Sequence, residues 1–272
     1  MTRLTVDGVR THLRQAGPVG NSEAVVFLHG NPGSGADWDG LIGQVGQFVR
    51  AIAWDAPGFG QADKPRDFPH TIDGHAAYVA AVLDALGVER AHLVMHDFGA
   101  AWGLTWAASH PERFASAVLI DTGTLIGYRW HRLARVWQTP ALGELFMAAT
   151  TRLGFRALLG IGNPRGLPRD FLDRMYDDFD RDTRRAVLRL YRSARDIEGI
   201  TRRLSTSLRP LRRPALVVWG AHDPYLPVEH AWRQEVAFPD ADVHIFDDSG
   251  HWPFIDAAQR CATLVTDFLR RV

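Results

Sequence analysis

The sequence predicts an α/β fold: one mostly parallel β-sheet with helices on both faces and a helical segment inserted between two of its strands. Three observations predict it. Short apolar runs rich in Val, Ile, Leu and Ala alternate with amphipathic stretches, as expected of parallel strands buried on both faces and joined by helices. That alternation is interrupted once, over 123–210, by a stretch with helical periodicity and no convincing strand. Four polar turns directly follow four of the apolar runs, which gathers the chain's polar chemistry at one edge of the sheet.

The expected strands are 9–15, 24–28, 49–54, 91–95, 115–120, 215–219 and 243–246, and the expected helices 72–86, 100–109, 228–238 and 257–270. Residues 1–122 and 211–272 then form the core domain, and 123–210 a helical cap (lid). Pro140, Pro164 and Pro168 punctuate the cap, and Pro210 and Pro214 mark the return to the sheet. The interruption follows a strand, so the cap is expected over the carboxyl ends of the strands, where ligands bind in open α/β sheets.

Composition narrows the function classes. A chain of 272 residues with 46% hydrophobic content can bury a large core as one domain with an insertion, or as two domains. Lys plus Arg and Asp plus Glu both number 31, so the net charge is zero, which argues against nucleic acid or an anionic membrane as the partner. A local run of arginines (Arg181, Arg184, Arg185, Arg189, Arg192, Arg195) is interleaved with Asp177, Asp178, Asp180, Asp182 and Asp196 and reads as a solvated, ion-paired helix face. Cys261 stands alone, which excludes an intramolecular disulfide and a cysteine-based metal site. The N-terminus lacks the apolar core of a signal peptide, and no apolar run has the length of a membrane span. A soluble, cytoplasmic protein, monomer or homodimer, is therefore expected. The histidines show no HExxH or similar ligand spacing, and neither metal nor cofactor is expected.

The four polar turns are His29-Gly30-Asn31-Pro32-Gly33, Met95-His96-Asp97-Phe98-Gly99-Ala100, Gly220-Ala221-His222-Asp223-Pro224 and Asp248-Ser249-Gly250-His251-Trp252. In the second, a strand passes into a helix through Asp97 with small residues just beyond. A sharp strand-to-helix turn of this kind presents its central side chain to the cleft. Asp97 equally fits a plain carboxylate cap on the helix that follows. Asp223 and His251 then follow in the order nucleophile, acid, histidine. Asp121, at the end of the strand 115–120, is an alternative acid, or a cap or hinge for the inserted segment.

On these residues the chain resembles the α/β-hydrolase fold family, in its aspartate-nucleophile branch: epoxide hydrolases first, haloalkane dehalogenases next. His29 to Pro32 resembles that family's oxyanion turn, and Asp55 to Gly60 the turn after its next strand. Met95 departs from the pattern, since a small residue is usual there. The resemblance implies that Asp97 attacks an sp³ carbon as an ionised carboxylate and becomes an alkyl ester. It implies that water activated by His251, held by Asp223, hydrolyses that ester. The backbone N–H groups of Asn31 and Phe98 are the implied oxyanion hole. Epoxide opening also needs an acid from the cap. Tyr191, in Arg189-Leu190-Tyr191-Arg192, resembles the tyrosine of the epoxide hydrolase cap, with Tyr128 or Tyr176 as candidate second donor, or with one tyrosine working beside His131 or a Trp instead. Phe98 has no donor where haloalkane dehalogenases commonly carry Trp, whereas Asn31 does match the dehalogenase Asn. A small apolar epoxide is the expected substrate; a haloalkane, and a non-catalytic ligand-binding role on the same fold, are the alternatives. Trp102, Trp252 and Phe254, near the polar turns, and Trp130, Trp137, Phe146, Phe155 and Phe179 in the cap are candidates to line an apolar cleft.

Overall fold

A computed structural model describes residues 2–272. The first two strands, β1 (Thr2–Val6) and β2 (Val9–Ala16), form a hairpin closed by Asp7 and Gly8, both at positive φ (48° and 76°). Asp-Gly suits a two-residue turn that needs that backbone conformation twice. β1 escaped the sequence reading because its side chains are mostly exposed and it carries no apolar run.

The remaining strands are β3 (Glu23–Leu28), β4 (Arg50–Trp54), β5 (Arg90–His96), β6 (Phe114–Ile120), β7 (Ala215–Gly220) and β8 (Asp242–Phe246). They complete an eight-stranded sheet of order β1-β2-β4-β3-β5-β6-β7-β8. β2 runs antiparallel to β4, and β3 to β8 are parallel throughout. β4, β6 and β7 are buried at every residue, which explains their unbroken apolar sequences. The chain passes from β3 outward to β4 and returns to β5 on the other side of β3. The carboxyl ends of β3 and β5 therefore flank a topological switch point, where a crevice forms.

On the core side, α1 (Asp39–Val45) precedes β4, α2 (Ile72–Ala85) precedes β5, and α3 (Phe98–Ser109) joins β5 to β6. Between β6 and β7 the chain forms six helices: α4 (Arg132–Gln138), α5 (Leu142–Ala149), α6 (Arg152–Gly160), α7 (Arg169–Asp178), α8 (Arg181–Ser193) and α9 (Ile197–Leu208). Side chains start several of them: Thr151 caps α6, Asp180 caps α8 and Asp196 caps α9. α8 buries Thr183, Ala186, Val187, Leu190 and Tyr191 on one face. Its arginines bond outward, Arg192 to Glu144 (2.7 Å) and Arg185 to Asp182. Of the ion pairs expected within this run only Arg185–Asp182 forms: Arg184, Arg189 and Arg195 donate to backbone carbonyls, and Asp177 and Asp180 pair with Arg152 and Lys64 from outside it.

The inserted helices are fastened to the core by polar contacts. Arg174 of α7 donates to Asp37 (2.8 Å) and Ser34 (3.0 Å), and Lys64 pairs with Asp180 (2.6 Å). The expected helix 228–238 divides into α10 (Glu229–Trp232) and a 3₁₀ turn over Arg233–Val236. The chain closes with α11 (Pro253–Asp256) and α12 (Ala258–Leu269), and Cys261 is a buried free thiol. No described helix is long and apolar enough to cross a membrane.

Candidate active site

Asp97 occupies the turn between β5 and α3 with φ 49° and ψ −125°, a conformation non-glycine residues rarely hold. Its backbone is pinned there by Thr122, whose Oγ1 donates to the Asp97 carbonyl (2.6 Å). The side chain makes no capping hydrogen bond to α3. Instead its Oδ1 accepts the Asn31 N–H at 2.7 Å, and the Phe98 N–H also bonds the carboxylate. Within α3 the carboxylate thus meets only the first N–H, not the next ones a capping side chain bonds, and the capping role fails. Burial pushes its pKa above the ordinary aspartate value, opposed by His251 and by the two N–H donors.

Glycines make the turn possible. A Cβ at Gly99 would collide with the backbone of Leu28, and one at Gly30 with the Asp97 side chain. Gly103, one helical turn after Gly99, leaves room for Leu28 and for Met95: a Cβ there would lie 2.7 Å from Leu28 Cδ1 and 2.7 Å from the Met95 sulfur. This is how a bulky residue is tolerated where a small one is usual. His29 fastens the turn to β4, its Nε2 accepting the Ala56 N–H (3.0 Å) while Nδ1–H donates to the Gly30 carbonyl (2.9 Å).

His251 and Asp223 come from the turns after β8 and β7. His251 Nδ1 lies 2.7 Å from Asp223 Oδ2, and Nε2 lies 3.9 Å from Asp97 Oδ2. Asp223 Oδ1 also accepts the N–H groups of Tyr225 (2.7 Å) and Leu226 (3.0 Å). Burial lowers the His251 pKa, but Asp223 and Asp97 outweigh it, and the net shift is upward. Asp121 is fully buried beside this pair and accepts the Gly220 N–H (3.0 Å). Of the two candidate acids, it is Asp223 that holds the imidazole. One ligand atom each of Asp121, Asp223 and His251 lie within 4.8 Å of one another, but a cation among them would have to displace the Nδ1–H bond.

Above Asp97 lie two apolar lobes. One is walled by Leu133, Trp137, Phe146, Phe155, Phe179 and Trp252. The other is walled by Phe98, Leu125, Trp130, Ile197 and Leu226. Both share Asp97, His131, Tyr191 and Tyr225, and no Lys, Arg or Glu lines either lobe among the described residues. Trp102 and Phe254 are not in the cleft: Trp102 stacks on His75 (4.4 Å) and Phe254 on Trp38 (4.5 Å), inside the core.

The tyrosines divide. The Tyr191 hydroxyl is 3.5 Å from Asn31 Nδ2, which donates to it, and its ring packs on Phe98 (5.0 Å) and Trp137 (4.8 Å). Burial and then the charge of Asp97 push its pKa well above the usual tyrosine value, so it keeps its proton. Tyr128 lines the second lobe, but its O–H is committed to the Tyr225 carbonyl (3.2 Å). Tyr176 does not reach the cleft. Its O–H donates to the Thr150 carbonyl (3.4 Å), and its ring is held between Phe155 (5.6 Å), which walls the first lobe, and Arg152 (4.7 Å).

Several further side chains stand at the cleft; of these the sequence singles out only His131, as a partner for one tyrosine. His131 lines both lobes and caps α4, its Nδ1 accepting the Ala134 N–H (3.2 Å). An acceptor Nδ1 puts the neutral ring's proton on Nε2, and burial holds the pKa at about 4. Tyr225 packs on His251 (5.1 Å). His96 Nε2–H donates to the His251 carbonyl (2.8 Å), and Asp256 accepts from Ser249 and from the Gly250 N–H (2.9 Å), holding the turn that carries His251. Tyr225 stands two residues from Asp223 and His96 beside Asp97, which is the one local signal they carried.

A parallel doubly wound sheet, polar turns at its carboxyl edge and a histidine–carboxylate pair facing a turn-borne carboxylate define the class: a hydrolase of the α/β fold. A family model for the alpha/beta hydrolase fold matches residues 23–258, and the chain belongs to that family. It is 30% identical over 282 residues to a 2-hydroxy-6-oxononadienedioate/2-hydroxy-6-oxononatrienedioate hydrolase of Burkholderia vietnamiensis, covering 97% of this chain and 92% of the relative. It is 28% identical over 273 residues to a 2-hydroxy-6-oxo-6-phenylhexa-2,4-dienoate hydrolase of Burkholderia cepacia, covering 96% and 91%. An epoxide hydrolase mutant from Vigna radiata shares the fold with a TM-score of 0.81 at 20% identity, covering 100% of this chain and 98% of the other.

Proposed function

We propose that this chain hydrolyses epoxides to vicinal diols through an alkyl ester on Asp97, with residues 123–210 as the cap over the site. The observation that carries the reading is an ionisable carboxylate where a nucleophile belongs, with a protonated tyrosine, Tyr191, hydrogen-bonded to Asn31, the residue whose N–H holds that carboxylate. Asp97 Oδ1 is engaged by N–H donors, which leaves Oδ2 to attack. The attack forms an O–C bond as the epoxide C–O bond breaks, and the leaving alkoxide takes a proton from Tyr191, assisted by the Nε2–H of neutral His131. His251 Nε2 then removes a proton from water, and the hydroxide adds to the ester carbonyl of Asp97. The resulting oxyanion sits on Oδ1, against the N–H groups of Asn31 and Phe98. Collapse expels the substrate's second oxygen as an alkoxide, which takes the proton of the newly added hydroxyl, so that the diol leaves and Asp97 is again a carboxylate; the proton held by His251 returns to the Tyr191 oxygen.

The names of the curated relatives describe hydrolases of dienoates and dienedioates, substrates that carry carboxylates. Two features argue against such a substrate here. Neither lobe offers a cation to pair with it, and burying an unpaired carboxylate is costly. The residue at the strand-to-helix turn is also a carboxylate, suited to displacement at sp³ carbon. A second reading is supported by Asn31 Nδ2 and by the Trp137 Nε1–H, which has no partner although Trp137 lines the first lobe: two N–H donors of this kind suit a departing halide. The same ester would then form from a haloalkane.

The test is a panel of epoxides, beginning with styrene oxide, and of haloalkanes such as 1-bromobutane. Diol formation by wild type and its loss in Asp97→Ala support the proposal. In His251→Gln the ester should persist, read as an adduct on the Asp97 peptide by mass spectrometry. Halide release without diol formation favours the second reading. No diol, no halide and no adduct would sink both and favour a binding role without catalysis.

A further inference from the structure

Two carboxyl groups stand where one acid is enough for the histidine. Asp121 is the first residue beyond β6, held at φ 45° with its N–H bonded to the Val218 carbonyl (3.0 Å). Its neighbour Asp223 follows β7, the strand paired with β6. Both are buried. The two differ in their donors. Asp223 accepts three N–H groups, from Tyr225, Leu226 and His251. Asp121 accepts only the Gly220 N–H on Oδ1, and its Oδ2 has no donor among the described residues.

Adjacent buried carboxyl groups cannot both ionise at neutral pH, and the proton goes to the one with fewer donors. We propose that Asp121 is the protonated half of an acid–carboxylate pair with Asp223, a positioning residue whose O–H donates to the anion that orients His251. The donorless Oδ2 is the natural seat of that proton. Burial, and then the charge of Asp223, hold the Asp121 carboxyl well above the carboxylate range. The other titratable groups facing the pair are His251, Asp97, Tyr225, Tyr128 and, at the start of α4, His131 on the cleft side, and Asp256 from α11 and the Cys261 thiol from α12 on the core side. None is a fixed cation that would favour an ionised Asp121, and the His251 ring is already held by Asp223.

The inference rests on the reading of His251 and Asp223 as a working pair, and its test is separable from that reading. The His251 imidazole is titrated by NMR in wild type, Asp121→Asn, Asp223→Asn and the double variant, which needs no substrate. Asn replaces the protonated acid by an amide that can donate the same hydrogen bond. Asp121→Asn should therefore leave the His251 pKa within about 0.3 unit of wild type. A fall of about one unit or more means that Asp121 is ionised in wild type, and overturns the proposal. In Asp223→Asn the charged neighbour is gone, so Asp121 should ionise and take over the imidazolium. The His251 pKa should then exceed that of the double variant by about one unit or more. Equal values would mean that Asp121 does not reach the pair, and also overturn it. Turnover, if the epoxide reading holds, should follow: Asp121→Asn within about threefold of wild type, and the double variant at least about tenfold below Asp223→Asn. Absence of any epoxide turnover in wild type bears on the proposed reaction alone and leaves the titrations to decide the pairing.

Discussion

Replacing Gly30 by alanine should lower turnover by about 10²–10³-fold while leaving the protein folded. Gly30 has an ordinary backbone conformation, so alanine meets no φ penalty there. The obstacle is Asp97: an added Cβ would lie 2.5 Å from Oδ1 and 2.8 Å from Cγ, and closer still to Cβ. Asp97 cannot swing aside freely, because its carbonyl is tied to Thr122 and its turn is packed against Leu28 through Gly99. The carboxylate must shift to make room, and the contact most sensitive to that shift is the Asn31 N–H on Oδ1, now 2.7 Å away. Loss of a charge-assisted hydrogen bond costs about 1.5–3 kcal/mol in the ground state. The larger loss falls on the oxyanion of ester hydrolysis, where one missing donor costs about 2.7–4 kcal/mol. The assay is steady-state kcat on an epoxide the wild type accepts, with thermal unfolding alongside. Gly40→Ala is the control: a Cβ there meets nothing within 4 Å, so activity should not change. A Gly30→Ala enzyme that unfolds like wild type and keeps kcat within about threefold would refute the oxyanion assignment of Asn31.

Tyr191→Phe preserves the ring that packs on Phe98 and Trp137 and should leave stability nearly unchanged. It should lower the rate of epoxide opening by about 10²-fold or more, read in single-turnover experiments as slower ester formation. The pH profile follows from His251, whose pKa is raised above 6.5 once Asp223 and Asp97 outweigh burial. The base must be neutral to accept a proton, so kcat should fall as pH drops through that raised pKa, and the ester on Asp97 should accumulate in wild type at pH 5.5 by quenched mass spectrometry. His131 sets a stability trend of the opposite origin. Its folded pKa of about 4 lies below the unfolded value, so between pH 6.5 and 4 the unfolded chain binds the extra proton and stability falls with pH. Urea denaturation should show a shallower decline over that window in His131→Gln. Arg174→Met leaves Asp37, almost fully buried, without its cation, and should cost about 2 kcal/mol, below the usual cost of breaking a buried pair because Arg174 itself is a third exposed.

The interior strands were legible because burial on both faces writes itself as an unbroken apolar run, as in β6 and β7. The exposed β1 and the short α1 wrote no such pattern. At the site, Asp97, Asp223, His251 and Asn31 were legible because each follows a strand in a turn of small residues, and a strand end is a place that sequence alone can locate. Tyr191 was found by its neighbours in the chain, whereas Tyr128 and Tyr176 could not be told apart from it by residue type.

By itself, then, the sequence determined the sheet, the inserted helices and the set of polar turns at one edge, since local periodicity and turn chemistry encode these. It left Asp97 open between a helix cap and a side chain presented to the cleft, and the acid open between Asp223 and Asp121. The tertiary structure decided both, because the answers lie in contacts between distant segments. The Asn31 N–H from the turn after β3 takes the Asp97 carboxylate away from its own helix. The pairing of β6 with β7 sets Asp121 behind Asp223, so that only one of the two meets the histidine. Packing between distant segments likewise commits the Tyr176 hydroxyl to the Thr150 carbonyl and leaves His131, a cap residue by local chemistry, facing both lobes of the cleft.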